Sequence, residues 1–219
     1  MIDTILFDFD GTIINTNDVI IEAWQYTYKH YLGHEMPVDH IERSFGEPLL
    51  ITMEREFPGV PPLESAGIYR NRQAEKAEEL VKLFPGVVEM LKAVKDAGYK
   101  TCVVTSRTRE TTLYYMNQFG IAHYFDDLVS CDDTTIHKPN PEPALMGLDK
   151  VQAKPEEAVM VGDSPYDMLC ANNAGVKTVL VEWRAKGNDD KLKECKVDSE
   201  IETPMELLDE INRFNTHDR

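Results

Sequence analysis

The sequence predicts an α/β fold, a doubly wound parallel sheet with a small helical cap inserted after the first strand. Short apolar runs with the composition of strands recur along the chain, and longer segments with helical spacing separate them. This alternation is typical of a parallel sheet with right-handed crossovers. The segment from about 16 to 84 interrupts it, because it holds several helical patterns and no convincing strand.

The predicted strands are five apolar runs: Thr4–Phe9, Lys100–Val104, Asp127–Ser130, Ala158–Val161 and Thr178–Val181. Their nearly continuous apolar character is expected of parallel strands that are buried on both faces. Helices are predicted over Val87–Ala97, over Glu110–Phe119 and from Pro165 to the residue before Gly175. Each is followed closely by a glycine, the residue that most readily adopts the left-handed conformation at a helix C-terminus.

Helical patterns also fill the insert, over Asp18–Tyr31, Val38–Phe45, Pro48–Phe57 and roughly Leu63–Leu83. Their apolar positions recur at helical spacing, so they are expected to form a core of their own. Because the insert follows the first strand, we expect a mobile cap above the C-terminal edge of the sheet. The predicted division is a catalytic core of residues 1–15 and 85–219 and a cap of residues 16–84.

The composition argues against two classes of partner, nucleic acids and membranes. The net charge of −16 and the isoelectric point near 4.7 argue against nucleic acid, whose phosphates are bound by Lys and Arg. A phosphate site in so acidic a chain needs local positive charge, which a metal supplies. No stretch approaches the ~18 apolar residues of a membrane span. The cysteines show no paired spacing, and the first residues show no signal peptide, so we expect a cytoplasmic protein.

The strongest local signal is Asp8-Phe9-Asp10-Gly11-Thr12, directly after the first predicted strand. In an extended segment residues i and i+2 point the same way, so both carboxylates can face one site at the strand's C-terminal end. Two adjacent carboxylates repel, which calls for a divalent cation or a retained proton. The alternatives are a plain acidic strand end and a calcium loop, although the glycine comes too early for the latter.

A second acidic motif, Gly162-Asp163-Ser164-Pro165-Tyr166-Asp167, follows another apolar strand. Asp163 lies at the strand end. Asp167 can bend back over the same edge if a helix begins at Pro165 with Ser164 as its N-cap. Carboxylate oxygens of this kind suit Mg²⁺. The alternative makes Asp163 the N-cap and Asp167 a solvated carboxylate in the first turn.

Two further segments supply hydrogen bonds and positive charge. Thr105 and Ser106 end the strand Lys100–Val104, where a hydroxyl and backbone N–H groups can hold phosphate oxygens, although such residues also commonly cap helices. Lys138 lies in the loop His137-Lys138-Pro139-Asn140-Pro141. A lone lysine is ordinarily a solvated surface charge. In a loop that two prolines make rigid, beside an acidic pocket, it becomes a candidate partner for the carboxylates and for phosphate.

The four motifs occur in an order that resembles the haloacid dehalogenase superfamily, over nearly the full length of the chain. The resemblance includes a Rossmann-like core and the helical cap after the first motif. The placement of the cap resembles that in the branch of phosphoglycolate phosphatases and β-phosphoglucomutases. The bacterial pyrophosphatases of that branch are similar in three segments, Ile5–Thr16, Lys138–Pro143 and Val159–Asp163.

The resemblance implies a Mg²⁺-dependent phosphohydrolase that works through an aspartyl-phosphate. By that resemblance Asp8 is the nucleophile and Asp10 the general acid and base, while Lys138 and Thr105 stabilise the transferring oxygens. The implied metal ligands are Asp8, the backbone carbonyl of Asp10, Asp163 and Asp167, the last directly or through a water. The implied substrate-binding residues are Thr105, Ser106, Arg107 and Gly46, the last in a cap loop that matches the one facing the active site in this branch.

Several activities remain open within this resemblance. The first is hydrolysis of a small phosphorylated metabolite such as phosphoglycolate, and the second is hydrolysis of pyrophosphate. A sugar-phosphate mutase is disfavoured because Ile20 stands where that group carries a cap histidine. Dehalogenase and phosphonoacetaldehyde chemistry are disfavoured by Asp10, and a non-catalytic binding module by the presence of both Asp8 and Asp10. Arg43, Arg55 and Arg107 are candidates for contact with a second anionic group.

Overall fold

The computed structural model describes residues 1–45, 47–187 and 189–217. It divides the chain into two compact units. The first comprises Met1–Ile14, Leu83–Arg184 and Asp190–Arg219, and the second comprises Asn15–Lys82 and Ala185–Asp189. The segment Ala185–Asp189, which the predicted boundaries leave in the core, thus falls in the second unit. Among the described residues, no helix combines the length and the apolar character needed to cross a membrane.

The main sheet has six strands in the order β5-β4-β1-β6-β7-β8, and all of its pairings are parallel. The strands are β1 Thr4–Phe7, β2 Ile14–Asn15, β3 Lys82–Leu83, β4 Lys100–Val104, β5 Asp127–Val129, β6 Ala158–Gly162, β7 Lys177–Val181 and β8 Ser199–Ile201. Strands β2 and β3 form a separate two-stranded sheet. The predicted fold class, a doubly wound parallel sheet, is confirmed.

Ten helices are described: α1 Asn17–Leu32, α2 Val38–Glu42, α3 Leu49–Glu56, α4 Pro62–Leu80, α5 Val87–Asp96, α6 Arg109–Gln118, α7 Glu142–Lys150, α8 Pro165–Ala174, α9 Asp189–Leu192 and α10 Leu207–His217. Helices α7 and α8 pack together and against the central strands, where Leu6, Val104 and Met160 share a buried cluster with Leu148 and Ala171. Alternate strand residues point to the opposite face of the sheet, and they are also fully buried: Ile5, Phe7, Val103, Val159 and Val161. Both faces of the central strands are therefore covered, which is why these strands are continuously apolar.

The second unit has an aromatic core of its own. Trp24 and Tyr28 on α1 pack against Phe57, and Trp24 also contacts the ring of Tyr69 on α4. All four side chains are almost completely buried. Their positions confirm that the apolar positions at helical spacing in α1 are core residues.

The structure differs from the predicted elements at several ends and in elements that were not predicted. Among these are α10 and, inside the insert expected to hold no strand, β3, which follows α4 where the predicted helix Leu63–Leu83 continues. Strand β1 ends at Phe7 rather than Phe9, and α2 ends at Glu42 rather than Phe45. Strand β8 was not predicted, because its three residues are too short and too polar to show a strand pattern. Helix α7 was also missed, since prolines surround its start.

Candidate active site

Asp8 lies immediately beyond β1, and its position continues the hydrogen bonding of the sheet. Its backbone N–H donates to the carbonyl of Val161 on β6 at 2.9 Å. The side chain is 8 % exposed, so its carboxylate lies in a largely desolvated place. Nζ of Lys138 donates to Oδ1 of Asp8 at 2.7 Å and to Oδ1 of Asp167 at 2.7 Å. Lys138 is therefore a buried cation between two carboxylates, and not a solvated surface charge.

Asp167 is fixed by the N-terminus of α8. Its Oδ2 accepts hydrogen bonds from the backbone N–H of Ser164 at 3.1 Å and from the Ser164 hydroxyl at 2.6 Å. The Ser164 Oγ also accepts from the backbone N–H of Asp167, so the two residues form a reciprocal N-terminal cap. The predicted N-cap is thus confirmed. The alternative of a solvated Asp167 is wrong, because this residue is only 2 % exposed.

Asp163 joins the same group from the end of β6. One carboxylate oxygen from each of Asp8, Asp163 and Asp167 lies within 4.8 Å of the others. The carboxylate of Asp163 packs directly on Gly11, where a Cβ atom would come to 2.2 Å from Oδ2 of Asp163. Gly11 has a φ of +82°, a conformation that side chains disfavour. Glycine at this position therefore satisfies both the turn and the close approach of the second acidic motif.

The charges in this group do not balance, because three carboxylates lie near a single lysine. Burial raises the pKa of Asp8 to about 7; the charge of Lys138 opposes this rise and that of Asp167 adds to it. Burial, followed by the charges of Asp8 and Asp167, raises the pKa of Asp163 well above its ordinary value. Burial alone would lower the pKa of Lys138, but the carboxylates of Asp167 and Asp8 outweigh it and raise that pKa.

The same group fits a divalent metal. Among the described residues, Oδ2 of Asp8 is buried and has no hydrogen-bond partner. A buried carboxylate oxygen without a partner costs free energy, and a hard cation bound by oxygen ligands would remove that cost and the repulsion together. Three of the four predicted ligands, Asp8, Asp163 and Asp167, thus lie together. The side chain of the fourth, Asp10, lies outside this group, which leaves its backbone carbonyl as the implied ligand.

The carboxylate of Asp10 is bound by Arg107, a contact that the sequence did not predict. Nε of Arg107 donates to Oδ2 of Asp10 at 2.9 Å, and Nη2 donates to Oδ1 at 2.5 Å. The backbone N–H of Arg107 donates to Oγ1 of Thr105, which is buried at the end of β4, whereas Ser106 is exposed. Sequence spacing identified each residue but gave no sign that Asp10 and Arg107 pair across the chain.

The remaining predicted contacts belong to the second unit. Gly46, predicted to bind substrate, lies outside the described residues. Arg43 forms an ion pair with Asp39, and Arg55 forms ion pairs with Glu47 and Glu56. Both arginines therefore already have carboxylate partners within their own unit.

Known proteins of one family are similar to this chain over most of its length. The sequence model of the family described as haloacid dehalogenase-like hydrolase matches residues 5–181. A PpaX protein of Caldanaerobacter subterraneus is 40 % identical, over 94 % of this chain and 93 % of its own length. The pyrophosphatase PpaX of Halalkalibacterium halodurans is 37 % identical, over 95 % of this chain and 96 % of its own.

Among solved structures, a haloacid dehalogenase-like family hydrolase of Streptococcus pneumoniae superposes with a TM-score of 0.84 and 26 % identity. The match covers 96 % of this chain and 98 % of that one. The predicted family and the predicted enzyme class, a phosphatase, are both confirmed. The chain belongs to the haloacid dehalogenase-like hydrolases.

Proposed function

We propose that this enzyme is a Mg²⁺-dependent phosphohydrolase that removes phosphate from a small phosphorylated metabolite through an aspartyl-phosphate on Asp8. The observation that supports it best is the convergence of Asp8, Asp163 and Asp167 on one point, with Lys138 bonded to two of them. Burial of three carboxylates beside a single lysine lowers the stability of the fold. The presence of the cluster therefore favours a catalytic role for it.

In the proposed mechanism the Asp8 carboxylate attacks phosphorus, and the bond from phosphorus to the leaving oxygen breaks. The bonding electrons stay on the leaving oxygen, to which Asp10 delivers a proton. Asp10 then takes a proton from a water molecule that attacks phosphorus and releases Asp8. General acid–base assistance of this kind is worth about 10²–10⁴-fold in rate.

Lys138 and Thr105 are the residues proposed to stabilise the charge on the transferring oxygens. The Lys138 ammonium contacts Asp8 directly, so it is next to any phosphoryl group that Asp8 attacks. Mg²⁺, held by Asp8, Asp163, Asp167 and the Asp10 carbonyl, would add positive charge against the same oxygens. Together these groups would provide the local positive charge that an acidic chain needs in order to bind phosphate.

Two substrates are proposed for this site. The first is a phosphoglycolate-like monoester, which the motif order and the cap favour. The second is pyrophosphate, which is favoured by the printed name of a relative that is 37 % identical over 96 % of its own length. The cytoplasmic location and the lack of a nucleic-acid partner remain predictions from the sequence.

Hydrolysis of p-nitrophenyl phosphate, with and without EDTA, tests the proposed activity. We expect phosphate release that requires Mg²⁺, stops when EDTA is added and resumes when Mg²⁺ is restored in excess. The unfolding temperature measured under the same conditions serves as a control, so that loss of activity is not mistaken for loss of fold. Absence of any Mg²⁺-dependent release from p-nitrophenyl phosphate, pyrophosphate and 2-phosphoglycolate alike would favour a non-catalytic binding protein. A comparison of kcat/KM for pyrophosphate and 2-phosphoglycolate then ranks the two substrates.

The Gly11→Ala variant tests the role of the contact between the two acidic motifs. A methyl group at Gly11 would overlap the Asp163 carboxylate, so we expect phosphate release to fall by about 100-fold or more. Gly98→Ala is the matched control, because Gly98 also has a φ of +82° but has nothing within 4 Å of a Cβ atom. Both variants should lose about 1 kcal/mol of stability from backbone strain. Equal activity of the two variants would contradict this role for Gly11.

A further inference from the structure

Arg107 holds the carboxylate of Asp10 by two parallel hydrogen bonds, at 2.9 Å and 2.5 Å. Its side chain is 18 % exposed and that of Asp10 is 30 % exposed. The pair is thus less buried than the lysine–carboxylate cluster, in which Lys138 is 4 % exposed. A solute can therefore reach it, and the free energy holding the two side chains together is modest because water screens the pair.

The orientation of Arg107 is fixed from two other sides. Its guanidinium lies over the ring of Tyr115 on α6, 5.1 Å from the ring centroid. Its backbone N–H donates a hydrogen bond to Oγ1 of Thr105, the first residue after β4. The guanidinium is therefore held in place by contacts that do not involve Asp10. It can remain there when another anion displaces the Asp10 carboxylate.

The planar fork of an arginine binds carboxylate and phosphate with the same two-point geometry. The Asp10 carboxylate thus occupies a position that an anionic part of a substrate is able to fill. Since Asp10 is the residue proposed to protonate the leaving oxygen, Arg107 lies on the leaving-group side of the site. The phosphoryl group that is transferred would lie instead beside Asp8, the proposed nucleophile, and Lys138, which is bonded to it.

We propose that Arg107 determines specificity by binding an anionic group carried on the leaving group of the substrate, in exchange for Asp10. This inference rests on the proposed phosphohydrolase activity. It names the substrate class as phosphate compounds whose leaving group is itself anionic. Pyrophosphate, with a phosphate leaving group, and 2-phosphoglycolate, with a carboxylate on the leaving glycolate, share this chemistry. p-Nitrophenyl phosphate lacks it.

The exchange links substrate binding to the release of Asp10. When the anionic group takes the guanidinium, the Asp10 carboxylate loses its two hydrogen bonds to Arg107. It can then take up a proton from the solvent and deliver that proton to the leaving oxygen. A substrate without such a group leaves Asp10 bonded to Arg107. The difference between the two classes of substrate should therefore depend on Arg107.

The test compares kcat/KM for pyrophosphate, 2-phosphoglycolate and p-nitrophenyl phosphate in the wild-type enzyme, Arg107→Lys and Arg107→Ala, at one Mg²⁺ concentration. We expect kcat/KM of the alanine variant to fall by about 100-fold or more on at least one substrate with an anionic leaving group. The fall in kcat/KM on p-nitrophenyl phosphate should be about one tenth as large. Lysine keeps the charge without the fork, so Arg107→Lys should lie between wild type and Arg107→Ala. It also serves if the alanine variant does not fold. The anionic substrate affected shows whether the fork binds phosphate, carboxylate or both.

Arg109→Lys is the matched control. Arg109 lies two residues after Arg107 and also forms an ion pair with an aspartate, Asp133. The control variant should preserve the ratio of the three kcat/KM values. An equal loss on all three substrates in the Arg107 variants would overturn the inference, since it would mean that Arg107 only positions Asp10 or supports the fold. If the wild-type enzyme hydrolyses none of the three, the proposed function itself fails, which is distinct from a loss that is uniform across substrates.

Discussion

Replacement of Asp8 by Asn is expected to abolish turnover while the fold is kept. The two side chains have nearly the same shape, but the amide cannot act as a nucleophile toward phosphorus. Removal of a catalytic nucleophile commonly costs about 10⁴-fold or more in kcat. Lys138 retains its bond to Asp167 in this variant, so no buried cation is left without a carboxylate. The measurement is phosphate release together with circular dichroism and the thermal unfolding curve.

Asp3→Asn is the control for this prediction. Asp3 precedes the same strand, β1, at the opposite end from Asp8, and its carboxylate accepts a hydrogen bond from Thr4. The same chemical change at Asp3 should leave the rate within about twofold of wild type, since surface substitutions usually have small effects. If Asp8→Asn turns over at the wild-type rate, Asp8 is not the nucleophile and the aspartyl-phosphate mechanism is wrong.

Replacement of Lys138 by Met is expected to reduce both stability and activity. The lysine is 4 % exposed and is bonded to Asp8 and Asp167, which are themselves buried. Without the lysine, the carboxylates of Asp8, Asp163 and Asp167 would lie close together with little solvent and with no neighbouring cation to neutralise them. Breaking a buried ion pair by removing one partner typically costs about 3–5 kcal/mol of stability. Urea denaturation in the absence of Mg²⁺ measures this loss, and phosphate release measures the loss of activity.

Lys150→Met provides the comparison, because Lys150 pairs with Asp127 at 2.9 Å on a more exposed part of the first unit. Pairs of that kind contribute about 0–1 kcal/mol, so this variant should remain nearly as stable as wild type and fully active. A similar small loss of stability in both variants would show that Lys138 does not neutralise the carboxylate cluster.

Much of the first unit could be predicted because the sequence patterns that indicate its strands and helices lie in adjacent residues. The apolar runs of β1, β4 and β6 reflect burial on both faces, and the bounds of β4 agree with the prediction at both ends. The N-cap at Ser164 was also predicted, since a capping residue followed by proline is a signal contained in adjacent positions. The short edge strand β8 was not, because three residues are too few to show a period.

The sequence by itself determined the fold class, the order of the four motifs and the residue types that carry the chemistry, because strand burial and motif spacing depend on neighbouring positions. Only the tertiary structure decided which of these groups bond to one another. Lys138 and Asp8 are far apart in the chain, as are Arg107 and Asp10, yet each pair forms hydrogen bonds. Those contacts depend on which strands are adjacent in the sheet and on how each loop leaves its strand. These are properties of long-range packing, which local patterns of residues do not encode.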